Sequence, residues 1–264
     1  MKQVSVGRIL VPLLAALAVA LPSPQAAAES CGAGPGSGLT TTPQVRRGHE
    51  VRFQDRLSQI ESALNTERFD AIVVGDSIVQ QWPADMLAQV FPGRRVLNAG
   101  VGGDGTAALL HRLDSAREPA VVQGQRIEIG VSGWERQRPS DVVVLIGTND
   151  LRRATPCDIV AGVLAVVGRL HRLYPAATIH VLSILPRGAT QEEFVPEIGT
   201  VNASLAGMAS SSGRFRFVDA RAALLCGQGA ACGVARPPNF VHLTREGYAA
   251  LGRALRAELS RQNR

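Results

Sequence analysis

The chain has 264 residues, of which 45% are hydrophobic and 19% charged, with a formal net charge of +6 and four cysteines. That length suits one α/β domain with a sizeable core and is short for two. Every basic residue after Lys2 is an arginine, and these are scattered with few aromatics between them, which argues against a nucleic-acid partner.

The first residues carry Lys2 and Arg8, then an apolar run from Ile9 to Leu21 and a small-residue exit at Ala26-Ala27-Ala28, the pattern of a secretory signal peptide over 1–28. The apolar run is short and interrupted by Pro12, so a membrane span is not expected. Cleavage would remove Lys2 and Arg8, lowering the net charge to +4, and would leave a soluble protein that is secreted or periplasmic. An oxidising compartment permits disulfides. The close spacing of Cys226 and Cys232 favours a local bridge, which leaves Cys31 to tie the N-terminal segment to Cys157. No Cys/His spacing resembles a metal site.

Residues 29–48, rich in Gly, Pro and Thr without apolar periodicity, read as an extended arm or linker before a domain over 49–264. Apolar residues at Val51, Phe53, Leu57, Ile60 and Leu64 mark a helix over His49–Leu64. Five short apolar runs then predict strands: Ala71–Val74, Arg95–Leu97, Val142–Ile146, Thr178–Leu182 and Arg216–Val218. Helical patterns lie between and after them, near Met86–Val90, Thr106–Arg112, Cys157–Leu173, Glu192–Ser210 and Thr244–Leu259. This alternation implies a parallel sheet covered by helices on both faces. Residues 117–139 interrupt it, with Ala120–Gln123 and Arg126–Val131 flanking Gly124-Gln125 like a hairpin. The insertion is either a surface excursion or a flap that brings Trp134 near a substrate.

In an open α/β sheet, ligands gather beyond the carboxyl ends of the strands. Ser77, in Gly75-Asp76-Ser77, follows the first strand and would sit at a helix N-terminus, where it is either a nucleophile or a simple helix cap. After the second strand comes the glycine-rich run Asn98 to Gly105, and after the third Gly147-Thr148-Asn149-Asp150. His242 leads into the last helix. Nucleophile, backbone donor, amide donor and imidazole would thus converge on one edge. Asp76 and Asp150 adjoin motif residues and read as loop supports. Trp82 either borders the pocket or packs in the core, and His49, His111, His171 and His180 lack partners of this kind. The spacing Gly100-x-Gly102-x-x-Gly105 fits a dinucleotide fingerprint, but it follows the second strand and no acidic residue ends a strand about 20 residues later, so no cofactor is expected. No Gly-x-Ser-x-Gly elbow is present.

These segments resemble blocks I, II, III and V of the SGNH, or GDSL, hydrolases. The runs Gly75-Asp76-Ser77-Ile78-Val79-Gln80, Leu97 to Asp104 with Arg112-Leu113, and His242-Leu243-Thr244 with Gly247-Tyr248 are similar to those of the catalytic subunits of platelet-activating-factor acetylhydrolase Ib and their bacterial relatives. The resemblance implies a flavodoxin-like three-layer α/β/α sandwich with strand order 2-1-3-4-5. It makes Ser77 the nucleophile and His242 the general base, with Ser77, Gly103 and Asn149 as the oxyanion hole. The expected substrate is a small acyl ester, of a lipid, a carbohydrate or another alcohol. The chain departs from the family where an Asp normally precedes the histidine by three residues, because Asn239 stands there. An Asn accepts a hydrogen bond but lends no charge to imidazolium. Three readings follow: a working Ser-His dyad, an acid recruited from elsewhere such as Asp219, or a degenerate site that binds an acylated ligand without turnover.

Overall fold

In a run such as Ala71-Ile72-Val73-Val74, apolar at every position, a strand directs apolar side chains to both faces, so both must be covered. The computed structural model describes residues 31, 38–44, 51–114, 118–122, 125–226, 230–231 and 240–262. In chain order these form α1 (Gly38–Thr41), α2 (Val51–Thr66), β1 (Ala71–Gly75), α3 (Ser77–Gln80), α4 (Ala84–Val90), β2 (Val96–Gly100) and α5 (Thr106–Leu113). The hairpin β3 (Glu118–Val122) and β4 (Gln125–Ile129) follows, then β5 (Asp141–Leu145), α6 (Pro156–Leu173), β6 (Thr178–Leu182) and α7 (Val195–Ser212). Last come β7 (Arg216–Val218), the short strands β8 (Leu225–Cys226) and β9 (Ala230–Ala231), and α8 (Arg245–Gln262).

The main sheet runs β2-β1-β5-β6-β7, all parallel. Counted without the hairpin this is the order 2-1-3-4-5. Side chains alternate between its faces as the period of two requires. Ile72 and Val74 of β1, with Val142 and Val144 of β5, face a core shared with α2, α5, α6 and α7. Ala71, Val73, Val143 and Leu145 face a second core, built with α3, α4 and α8. Both faces of β1 and β5 are fully buried, so the sheet is the middle layer of a three-layer sandwich.

Several boundaries differ from the sequence reading for physical reasons. Strand β2 continues to Gly100, because Asn98, Ala99 and Gly100 pair in register with Val73, Val74 and Gly75. Helix α7 begins only at Val195, since Gln191 and Phe194 hold φ of 60° and 57°. The hairpin is present, two residues earlier in its first strand than expected. Trp134 is a correction to the flap reading. Its ring is fully buried in the core, and its Nε1 donates to the carbonyl of Arg112 at 2.6 Å, so it is a packing residue with no surface open to a ligand.

The arm is not wholly extended either. Gly38–Thr41 forms a helical turn whose Thr40, buried, donates from Oγ1 to the carbonyl of Asp158 at 2.7 Å. Gly162 of α6 makes room for it, as a Cβ there would lie 2.9 Å from Thr40 Cβ and 2.5 Å from Thr106 Oγ1. Cys31 and Cys157 form a disulfide that fixes the arm to the start of α6, as the spacing suggested. The proposed Cys226–Cys232 bridge lies outside the described residues. Helix α6 itself starts at a capping box, in which Thr155 and Asp158 exchange side-chain-to-backbone hydrogen bonds with Pro156 at the first position.

The Cys31–Cys157 link spans 126 residues, so it removes much loop-closure entropy from the unfolded chain. Cys157→Ser is expected to lower stability by about 2–4 kcal/mol in urea unfolding of the oxidised protein. An unchanged midpoint would show that the staple contributes nothing.

Candidate active site

Strand β1 ends at Gly75, where a Cβ would fall 2.2 Å from the carbonyl oxygen of Leu145 and 2.5 Å from Val79 Cγ2. Only glycine lets the chain turn there. Asp76 then caps α3, its Oδ1 accepting from the backbone N–H of Ile78 at 2.8 Å. Ser77 is the first residue of α3, which is a single turn of four residues. A helix this short carries little macrodipole, so any electrostatic help at Ser77 comes from the local N–H groups of its first turn. The turn is clamped from two sides. Tyr248 of α8 donates its hydroxyl to the carbonyl of Ile78 at 2.8 Å, and Asn98 of β2 donates Nδ2 to the carbonyl of Val79 at 2.7 Å. Trp82 is buried beside Tyr248, with ring centroids 5.8 Å apart, which makes it a core residue.

Gly100 shows how closely β2 approaches α3. A Cβ there would lie 2.2 Å from the backbone nitrogen of Gln80 and 2.8 Å from the carbonyl oxygen of Asp76. The chain then turns through Gly102 and Gly103. The Gly102 N–H donates to Gln80 Oε1 at 2.6 Å, and an added Cβ on Gly102 would stand 3.7 Å from Ser77 Cβ. Gly103 has φ of 77°, which an L side chain rarely adopts. The glycine spacing read against a dinucleotide fingerprint therefore serves close packing within the protein. Gly105 fits the same account, since its Cβ would meet Asp150 Oδ1 at 2.3 Å.

Asn149 follows β5 and donates Nδ2 to the carbonyl of Asp104 at 2.8 Å, which sets its amide beside the Gly103 turn. Its loop is held from below. Arg187 donates Nη1 to the carbonyl and hydroxyl of Thr148 at 2.9 and 3.1 Å, and Gly147, at φ of 116°, avoids Ile184. His242 closes the group, its Nε2 standing 2.8 Å from Ser77 Oγ. With its proton on Nδ1, the ring accepts from the serine hydroxyl. Ser77, Gly103, Asn149 and His242 are all half-buried, while their neighbours Asp76, Asp104, Asp150 and Leu243 are buried. These four candidate residues open to solvent and their supports do not.

Two of those supports behave as expected from sequence. Asp76 caps α3, and Asp150 Oδ2 accepts from the N–H of Thr106 at 2.9 Å, joining the Asn149 loop to α5. Burial raises the pKa of both carboxyls, that of Asp76 to about 7. A third pair was not read as a unit. Arg112 donates Nε to Asp104 Oδ2 at 2.7 Å and Nη2 to the carbonyl of Gly75 at 3.0 Å, with both side chains almost fully buried. Gln80, Asn98 and Arg56 also escaped assignment. Arg56 of α2 donates to the carbonyls of Asn98 and Gly100 at 2.6 and 2.9 Å, and nothing in its local sequence marks that role.

The other candidates fall elsewhere. Asn239 lies outside the described residues, as does His49. Asp219 is held by Arg221, with its Oδ1 accepting from the backbone N–H and Nε and its Oδ2 from Nη2 at 2.6 Å. That arrangement shapes the turn after β7, and the Arg221 contact lowers the Asp219 pKa. His180 is fully buried against Asp141, at the first residue of β5 and so toward the opposite edge of the sheet. His111 is buried on α5, and His171 on α6 contacts the carbonyl of Arg214. Among the described residues no group of three or more His, Cys, Asp or Glu side chains could hold a metal ion.

The family model for GDSL-like lipases and acylhydrolases matches residues 73–250. The chain is 29% identical over 195 residues to the platelet-activating factor acetylhydrolase IB subunit alpha1 of Pongo abelii, covering 73% of this chain and 76% of that protein. It is 28% identical over 187 residues to the human alpha2 subunit, covering 70% and 74%. A GDSL-like lipase from Bacteroides thetaiotaomicron shares the fold, with a TM-score of 0.55 at 16% identity over 80% of this chain and 97% of that one.

The raised Asp76 pKa gives a pH test. A carboxyl whose folded pKa lies above its ordinary value favours the fold while protonated, so its contribution is complete at low pH and is lost as pH rises through about 7. Asp76→Asn keeps an oxygen for the Ile78 N–H and removes the titration. Melting temperatures measured from pH 5 to 8 should fall for the parent relative to this variant; parallel curves would contradict the assignment.

Proposed function

Because the chain belongs to the GDSL-like lipase/acylhydrolase family, we propose that it is an exported serine ester hydrolase working through an acyl-enzyme on Ser77. The observation that carries this reading is the 2.8 Å contact between Ser77 Oγ and His242 Nε2. His242 takes the hydroxyl proton as Oγ bonds to the ester carbonyl carbon. The carbonyl oxygen becomes an oxyanion facing the N–H groups of Ser77 and Gly103 and the Asn149 amide, each donor worth about 10²–10³ in rate. His242 then returns the proton to the departing alcohol. Water, deprotonated by the same ring, releases the acyl group as carboxylic acid.

The substrate in this reading is an ester of a small acyl group, acetyl being the one in the relatives' name. Export rests on the N-terminal pattern over 1–28, and the Cys31–Cys157 disulfide supports it. No helix among the described residues is long and apolar enough to cross a membrane.

A second reading, a domain that binds an acylated ligand without turnover, is favoured by one observation, the Asn at position 239. In a serine protease the equivalent loss of charge costs about 10⁴ in turnover. Because Arg221 already engages Asp219, a Ser-His dyad is the preferred form of the active enzyme over recruitment of that carboxylate.

Hydrolysis of p-nitrophenyl acetate by the chain lacking residues 1–28 separates these readings. Measurable turnover that Ser77→Ala and His242→Ala each reduce at least about 10³-fold, and that Asn239→Asp raises, is the expected result. A parent no faster than Ser77→Ala, with activity appearing only in Asn239→Asp, would favour the binder.

A further inference from the structure

The turn that offers the Gly103 N–H is fixed at its two ends and held at its middle by one side chain. Val101 to Asp104 form a β-turn, closed by the Asp104 N–H donating to the Val101 carbonyl at 3.2 Å. Gly103, at φ of 77°, takes the second central position, as in a type II turn. Both ends are buried. The Val101 N–H donates to the carbonyl of Gly75 at 3.0 Å, and Asp104 is engaged by Arg112 and by the Asn149 amide.

The two central residues are half-buried glycines, which have the greatest backbone freedom. Among the described residues one hydrogen bond reaches them, from the Gly102 N–H to Gln80 Oε1 at 2.6 Å. The Gly103 N–H has no partner among the described residues and is open to a ligand. Gln80 is the last residue of α3 and Ser77 the first, so the two share one face of a single turn. Gly102 lies against both, since its Cβ would stand 3.0 Å from Gln80 Oε1 and 3.7 Å from Ser77 Cβ.

We propose that Gln80 is a positioning residue for the oxyanion hole. Its carboxamide ties the middle of the glycine turn to the helical turn that carries Ser77, and so sets the Gly103 N–H at a fixed place beside the nucleophile. The proposal rests on the esterase reading for the roles of Ser77 and Gly103. A donor stabilises an oxyanion strongly only when it is held, before reaction, where the charge will develop. Gln80 touches no reacting atom and acts through Gly102 alone. Its side chain is exposed, and its backbone N–H donates to the carbonyl of Asp76 whatever that side chain is. Gln80→Met therefore keeps chain length and helix propensity while removing the carboxamide.

Amide hydrogen exchange at Gly102 and hydrolysis of p-nitrophenyl acetate test this in the parent, Gln80→Met and Gln80→Glu. Exchange is expected to be about fivefold faster in Gln80→Met, the worth of one hydrogen bond, and within about twofold of the parent in Gln80→Glu, whose carboxylate still accepts. In Gln80→Met, kcat is expected to fall about tenfold, short of the 10²–10³ that follows when a donor is lost outright. It is counted per Ser77 labelled at completion by diethyl p-nitrophenyl phosphate, so loss of folded enzyme leaves it unchanged. KM should stay within about twofold, because acylation and deacylation both pass through an oxyanion and slow alike. The acid limb of the pH–rate profile, which His242 sets, should not move. Exchange unchanged in Gln80→Met, or equally fast in Gln80→Glu, overturns the proposal. So does an unchanged kcat in an active parent, or a displaced acid limb. A parent no faster than Ser77→Ala means that the esterase reading has failed, and exchange alone then decides: faster in Gln80→Met upholds the tie to the turn, and unchanged overturns it.

Discussion

The site hangs on a buried ion pair, Arg112 with Asp104. The guanidinium reaches one way to the Asp104 carboxylate and another to the carbonyl of Gly75, the last residue before the Asp76-Ser77 turn. Asp104 in turn follows Gly103 directly and receives the Asn149 amide on its own carbonyl. One pair thus joins the ends of β1, β2 and β5. Removing either charge would strand its partner in the interior, which typically costs about 3–5 kcal/mol. Arg112 is itself fixed by Trp134, whose Nε1 donates to its carbonyl. Trp134, which the flap reading would have brought near a substrate, instead packs in the core behind Arg112.

Around that knot the glycines act by permitting contact. Gly75 and Gly100 let β1 and β2 close on a one-turn helix that is too short to be stable alone. The turn is held instead by Tyr248, Asn98 and the Asp76 cap. Ser77 therefore sits on a rigid ledge whose supports come from α8, β2 and its own cap. Gly103, Asn149 and His242 are half-buried around it.

Much of this was legible in the sequence because apolar runs bury both faces of a parallel strand and leave no ambiguity of layer. The five strands and their parallel, doubly covered arrangement follow from that, while their order was what the resemblance to the GDSL hydrolases implied. What escaped notice was set by tertiary contact. Asn98-Ala99-Gly100 has the composition of a loop yet pairs as strand because Val73, Val74 and Gly75 lie alongside. Gln191 and Phe194 delay α7 through backbone angles that a hydrophobic pattern does not reveal. Arg56 and Gln80 support the site across 44 and 22 residues of sequence separation, and no local signal encodes such distant partners. Asp219, the acid that spacing offered for recruitment, is held by an arginine two residues away, a contact decided by the shape of the turn.

The central claim is that Ser77 is a nucleophile made reactive by His242. Mass spectrometry after treatment with diethyl p-nitrophenyl phosphate tests it most directly, because the phosphorus bonds to the activated oxygen and p-nitrophenolate departs without a later hydrolytic step being needed. The account predicts one diethylphosphoryl group, on the peptide that carries Ser77, formed much more slowly in His242→Ala. An adduct on another residue, or labelling of Ser77 at the same rate without His242, would contradict it.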